Sequence, residues 1–143
     1  MFDIHASELL PHRPPMLLVD RILTADIASD YICAAVQCSE NDLLYDSELN
    51  GIMTSAAVEI MAQSIGLLSG YSDLQKGHSL ASMGKLLSIK QYQVYTNVIP
   101  VNTPLRAEAR GIMNAPPIGV YECKLKAGEQ LLAEAELTVL RED

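Results

Sequence analysis

The chain has 143 residues, 49% of them hydrophobic, with a single Phe and no Trp; that is enough for one sizeable core and too little for two ordinary domains, so one domain spanning 1–143 is expected. Ten Lys and Arg against 18 Asp and Glu leave a net charge of −8. Such a charge repels nucleic acid, anionic membranes and acidic proteins, and no nucleic-acid role is expected.

Taken in chain order, Met1–Leu10 is acidic and soon polar, without the basic start and continuous apolar run of a secretory signal, which points to a cytoplasmic protein. Ala6–Leu10 reads as a short helical turn closed by Pro11, and Pro14 and Pro15 then hold the chain extended or turning. Met16–Leu23 and Tyr31–Cys38 read as strands. Cys33, Cys38 and Cys123 are odd in number and unpatterned in spacing, and Cys33 and Cys123 fall inside apolar runs, as small buried thiols of a reducing compartment do.

Ile52–Tyr71 is apolar on nearly every face of a helical wheel. A helix of roughly 20 residues would be about 30 Å long and buried on most sides. Glu59 and Gln63 in its middle would be costly in a bilayer, so the segment reads as a core helix and not as a membrane span. Thr54 and Ser55 are candidate N-caps, and Gly70–Gly77 supplies a stop and an exposed loop.

Four further strands follow at Leu80–Ile89, Leu105–Met113, Gly119–Ala127 and Gln130–Leu140. Gly128-Glu129 joins the last two as a hairpin, and Asn97–Pro100 and Asn114–Ile118 mark turns. Two strands, one helix apolar all round and four strands predict an α+β unit in which an antiparallel sheet curls around the helix; its open edge invites a second subunit.

Glu59 is the foremost candidate for chemistry. It sits in Ala56-Ala-Val-Glu-Ile-Met-Ala-Gln63 with no Lys or Arg in the helix, and desolvation would favour its protonated form and so general acid or base work. Gln63, at i+4, shares its face and would orient the carboxylate or a substrate carbonyl. The plainer alternative is a polar stripe at a subunit interface, and periodicity leaves both readings open. Of the histidines, His5 reads as solvent-facing, His12 as a turn residue satisfying backbone groups ahead of the alternative of a catalyst, and His78 as a surface loop residue that could still reach a site. None has companions at metal-ligand spacing, and there is no serine elbow, phosphate loop or dinucleotide fingerprint. No metal or cofactor is expected.

Two stretches carry a family resemblance. Leu9-Leu-Pro-His-Arg-Pro-Pro-Met-Leu-Leu-Val-Asp-Arg21 closely resembles the opening motif of the beta-hydroxyacyl-acyl carrier protein dehydratases, and Val58-Glu-Ile-Met-Ala-Gln63 resembles the start of their central helix. Weaker similarity runs through Met83-Gly84 and Val98–Leu105. The resemblance implies a hot-dog fold, a dimer with active sites at the subunit interface, and an acyl chain carried on phosphopantetheine of an acyl carrier protein into a tunnel beside the helix. By the same resemblance Glu59 is the catalytic carboxylate, Gln63 its helix glutamine, and Met83 and Gly84 flank the tunnel as substrate-binding residues.

One departure stands out. The family keeps a catalytic histidine in a His-Phe-Pro-Gly motif ahead of the helix, and here that stretch is Leu44-Tyr-Asp-Ser-Glu-Leu-Asn-Gly51, with Tyr45 where the histidine would fall. With a reference pKa near 10, tyrosine is a poor general base unless strongly perturbed. The pattern is similar to the divergent accessory dehydratases of aryl polyene lipid clusters, which pair with a second, more conventional dehydratase.

The resemblance thus implies elimination of water from a 3-hydroxyacyl thioester, with Glu59 handling the hydroxyl and the C2 base open among Tyr45, His78 and a residue of a partner subunit. A non-catalytic subunit that holds the acyl chain, and a hot-dog thioesterase, are the alternatives. Carrier proteins are acidic, so docking on this acidic chain needs a local basic patch; Arg13, Lys85 and Lys90 are the candidates, with Arg21 nearby.

Overall fold

The computed structural model describes residues 4–12, 17–42, 44–77 and 84–141. A six-stranded antiparallel sheet runs in the order β1 (Val19–Asp26), β2 (Tyr31–Val36), β7 (Leu105–Ala115), β8 (Ile118–Ala127), β9 (Gln130–Leu140), β5 (Lys85–Val94). Three two-residue strands, β3 (Tyr45–Asp46), β4 (Gly51–Ile52) and β6 (Ile99–Pro100), form a separate small sheet.

The strand pattern explains which face is buried. In β9, Ala133, Ala135 and Leu137 are buried while Glu134, Glu136 and Thr138 between them are partly exposed, the alternation expected of a sheet covered on one side. Across the sheet this gives two buried rows: Ile32, Ala109, Cys123 and Ala135, then Ala34, Ala107, Leu125 and Ala133. Their alanines leave room for a helix to lie close on the sheet.

That helix is α1, the 20 residues Ala56–Gln75, about 30 Å long. Ile60, Met61, Ile65, Leu67 and Leu68 are buried along it, and each such aliphatic side chain contributes about 1.5–3 kcal/mol, an upper figure because the unfolded chain already shields some surface. The buried Ser64 hydroxyl donates to the Met61 carbonyl at 2.6 Å, so it is satisfied within the helix. This is the expected α+β hot-dog architecture, one long helix wrapped by a curved antiparallel sheet.

Several boundaries differ from expectation. Ile52 belongs to β4, and the helix begins at Ala56 and runs through Gly66 and Gly70 to Gln75. Ser55 stands at the N-cap position but makes no capping bond through its side chain. Instead the Tyr92 hydroxyl donates to the Thr54 carbonyl at 2.8 Å, tying β5 to the helix entry. Leu80–Met83 and Met16 lie outside the described residues; β5 continues past Ile89 to Val94, β1 starts at Val19 and β2 stops at Val36. The β8–β9 hairpin turns at Gly128, in the left-handed region with φ +60°, where glycine costs nothing.

Strand β5 is one of the two edge strands of the sheet, β1 being the other. Nine of its ten residues are exposed, among them Leu86, Leu87, Ile89, Tyr92 and Val94. All three cysteines are buried and unbridged. No helix among the described residues is long and apolar enough to cross a membrane.

Candidate active site

Glu59, Gln63, Gly66 and Gly70 recur at helical spacing and share one stripe of α1. Gln63 is 2% exposed, and its amide is engaged at both ends: Oε1 accepts from the Leu18 N–H at 2.9 Å and the Val19 N–H at 3.4 Å, while Nε2 donates to Glu59 Oε1 at 3.0 Å. The backbone donors fix which end of the amide is oxygen, so the NH2 end necessarily faces Glu59. Gln63 thus locks the carboxylate to the start of β1.

The two glycines seat the N-terminal segment. A Cβ on Gly66 would stand 2.9 Å from Leu10 Cδ2, and one on Gly70 would stand 3.0 Å from Leu9 Cβ and 3.3 Å from the Leu9 carbonyl oxygen. A single 3-10 turn at Ala6–Glu8 precedes this contact, with the Leu9 and Leu10 N–H groups both bonding to the Ala6 carbonyl. Two residues on, His12 lies beside the carboxylate, with Nε2 3.7 Å from Glu59 Oε1.

His12 is therefore more than the turn residue expected from sequence. Its side chain is 14% exposed and that of Glu59 45%. The strong desolvation expected for Glu59 is thus not supplied by this chain alone, because the carboxylate sits at a cavity mouth and not in the packed core.

That cavity, of about 280 Å³, is lined by His12, Glu59, Gln63, Gly84, Lys85 and Arg141 among others. At its far end Arg141 donates to the carboxylate of Asp73, which is 4% exposed. This ion pair is shared with a larger cleft of about 1100 Å³, whose wall includes Asp30 and Tyr121. There the Tyr121 hydroxyl approaches Asp30 Oδ1 at 3.5 Å. Burial pushes the Tyr121 phenol up to about 12, with the neighbouring Asp30 charge adding to it. Burial likewise raises the Asp30 carboxyl, against a lowering by the Tyr121 hydrogen bond.

The structure thus brings Glu59, Gln63, Gly84 and Lys85 onto one cavity. Lys90 is exposed on β5 opposite Glu136, away from it. Tyr45 is not on this cavity either: it lies in β3, and its hydroxyl donates to Asn50 Oδ1 at 3.0 Å. Arg21, exposed on β1, has Nε 4.0 Å from Asp20 Oδ2. Arg13, His78 and Met83 lie outside the described residues. The signal that would have found His12 was the glycine pair: Gly66 and Gly70 stand on the stripe of Glu59, which is where a segment can press against a helix.

An imidazole and a carboxylate facing one cavity, the carboxylate clamped by a buried amide, are groups of the kind that can exchange protons with a bound molecule. Among the described residues no group of His, Cys, Asp and Glu side chains is arranged to hold a metal ion.

A family model described as ApeP dehydratase, of the ApeP-like family, matches residues 4–143. The 3-hydroxyacyl-[acyl-carrier-protein] dehydratase FabZ of Streptococcus gordonii is 33% identical over 144 residues, covering 96% of both chains; FabZ of Streptococcus equi subsp. zooepidemicus is 35% identical with the same coverage. Among solved structures, the dehydratase heterocomplex ApeI:P from Xenorhabdus doucetiae superposes with a TM-score of 0.88 at 18% identity, covering 98% of this chain and 92% of that one. A hypothetical thioesterase from Streptococcus pneumoniae, solved with coenzyme A, gives a TM-score of 0.63 at 11% identity, covering 85% of this chain and 84% of that one.

Proposed function

This chain belongs to the ApeP-like dehydratase family, and on that premise we propose that it serves the dehydration of 3-hydroxyacyl thioesters of an acyl carrier protein to trans-2-enoyl thioesters, as a dehydratase or as a subunit of one. The observation that carries this reading is Glu59, held by Gln63 on the lining of a cavity beside the central helix. Dehydration needs a base at C2 and an acid at the C3 hydroxyl. In this reading Glu59 serves the hydroxyl, and the hydrogen bond from Gln63 keeps its carboxylate oriented. The chemistry draws on acid and base groups alone, with the acyl chain delivered on the phosphopantetheine of the carrier protein.

A second subunit completes the assembly at β5. That strand leaves Leu87, Ile89, Tyr92 and Val94 exposed on a sheet edge, a combination that demands a partner strand. The partner is a second copy or a more conventional dehydratase. Tyr45, being off the cavity of its own chain, reaches a reaction centre only across such an interface. The carrier protein docks through local positive charge at Lys85, Lys90 and Arg13, since the chain as a whole carries −8.

A second reading rests on the resemblance: Tyr45 falls where the family histidine would stand, which favours a supporting subunit for an active companion. The deciding experiment follows enoyl formation on a 3-hydroxyacyl carrier-protein thioester by intact-protein mass spectrometry, with the chain alone and with a companion dehydratase. Turnover by the chain alone, abolished in Glu59→Gln, is the expected result. Turnover that appears only with the companion and ignores Glu59→Gln makes the chain a supporting subunit.

A further inference from the structure

We infer that His12 is a catalytic residue of this chain, the base that removes the C2 proton while Glu59 acts as the acid at C3; the assignment rests on the dehydratase reading above. The opening segment is not usually where a base would be sought, yet among the described residues it delivers the one imidazole that shares the cavity with Glu59. Its position is built and not incidental. Leu9 and Leu10 press into the places left by Gly70 and Gly66, the backbone of both is tied to Ala6, and Pro11 stiffens the step into His12. A base anchored in this way loses little further freedom when substrate arrives.

The contacts divide the labour. Gln63 Nε2 donates to Glu59 Oε1, so Oε1 must act as an acceptor. The proton that Glu59 gives to a leaving hydroxyl therefore belongs on Oε2. With His12 neutral, the C2–H bond breaks toward Nε2, its electron pair becomes the C2–C3 double bond, and the C3–O bond breaks with its own pair. The departing oxygen takes the Oε2 proton and leaves as water. The site is then an imidazolium beside a carboxylate 3.7 Å away, and return of the proton from His12 to Glu59, directly or through a water, restores the starting state. No oxidant, metal or further reactant enters the balance.

Because both groups stand on one wall of the cavity, the hydrogen and the hydroxyl must leave from the same face of the substrate. A substrate deuterated at one C2 position reads this out in the wild-type protein, so the test does not depend on a variant folding. In the assembly that supports wild-type turnover, His12→Ala and His12→Gln should lower kcat by on the order of 10²–10⁴-fold with little change in KM, and added imidazole should restore part of the rate to His12→Ala. Wild-type kcat in His12→Gln, loss of rate through KM alone without imidazole rescue, or departure from opposite faces would each overturn the assignment. Absence of turnover by the wild type in every assembly would instead sink the dehydratase reading, and this one with it.

Discussion

Gly70 of the central helix and Leu9 of the N-terminal turn meet so closely that a Cβ on the glycine would stand 3.0 Å from the Leu9 Cβ and 3.3 Å from its carbonyl oxygen. Neither atom can rotate away, because both belong to or adjoin the backbone. Gly66 differs, since its Cβ would meet only the tip of the Leu10 side chain at 2.9 Å.

Gly70→Ala should therefore destabilise the fold by about 1–3 kcal/mol through overpacking, less up to about 1 kcal/mol regained from helix propensity. It should also lower activity by moving His12 from Glu59. Gly66→Ala should be close to neutral, since Leu10 can change rotamer. Urea midpoints of the two variants, compared with their turnover, test the contrast; equal effects would show that the N-terminal segment is not seated on this stripe.

Gln63→Leu removes the acceptor for the Leu18 N–H and the donor to Glu59 at once. Leaving a buried N–H unmade costs about 1–3 kcal/mol. Denaturant unfolding should show that loss, and turnover should fall further than stability predicts because the carboxylate is no longer oriented.

Desolvation outweighs the Tyr121 hydrogen bond at Asp30 and holds its folded carboxyl above 3.8. The folded state therefore binds the proton more tightly than the unfolded one, and stability falls as pH rises through the folded value. Asp30→Asn keeps the acceptor for Tyr121 and suits the left-handed backbone, φ +54°, that Asn tolerates. Its melting temperature should exceed wild type at neutral pH, with the difference vanishing below 3.8. A constant difference across that range would mean the carboxylate is not desolvated.

Reversing charge at Lys85 and Lys90 together should weaken carrier-protein binding, chiefly in the association rate and most at low salt. Titration calorimetry and stopped-flow binding at two ionic strengths test it. Unchanged affinity would remove the docking patch from this edge of the sheet.

Leu87→Lys with Ile89→Lys places charge on the exposed edge of β5 and should dissociate the assembly, measured by sedimentation velocity. An oligomer that persists would put the subunit interface elsewhere.

Much of this protein is visible in its sequence. The alternation of Glu134, Glu136 and Thr138 with apolar neighbours names the buried face of β9, Gly128 marks the hairpin, and a helix apolar all round requires a sheet that wraps it. The i, i+4 spacing of Glu59 and Gln63 is enough to put them side by side on a helix. These are short-range properties, set by the period of the element and the propensity of the residue.

Tertiary structure alone decided the rest. Gly70 looks like a helix stop because the cost of glycine in a helix is local, while the gain comes from close packing on Leu9, more than fifty positions earlier. His12 looks like a turn residue because its flanking prolines describe its backbone and nothing about what faces its ring. Tyr45 falls where the resemblance would put the family histidine, yet the chain folds it into a small separate sheet off the cavity. A residue's neighbours along the chain determine its conformation, but which side chains share a cavity depends on packing between distant segments, and no local period encodes that.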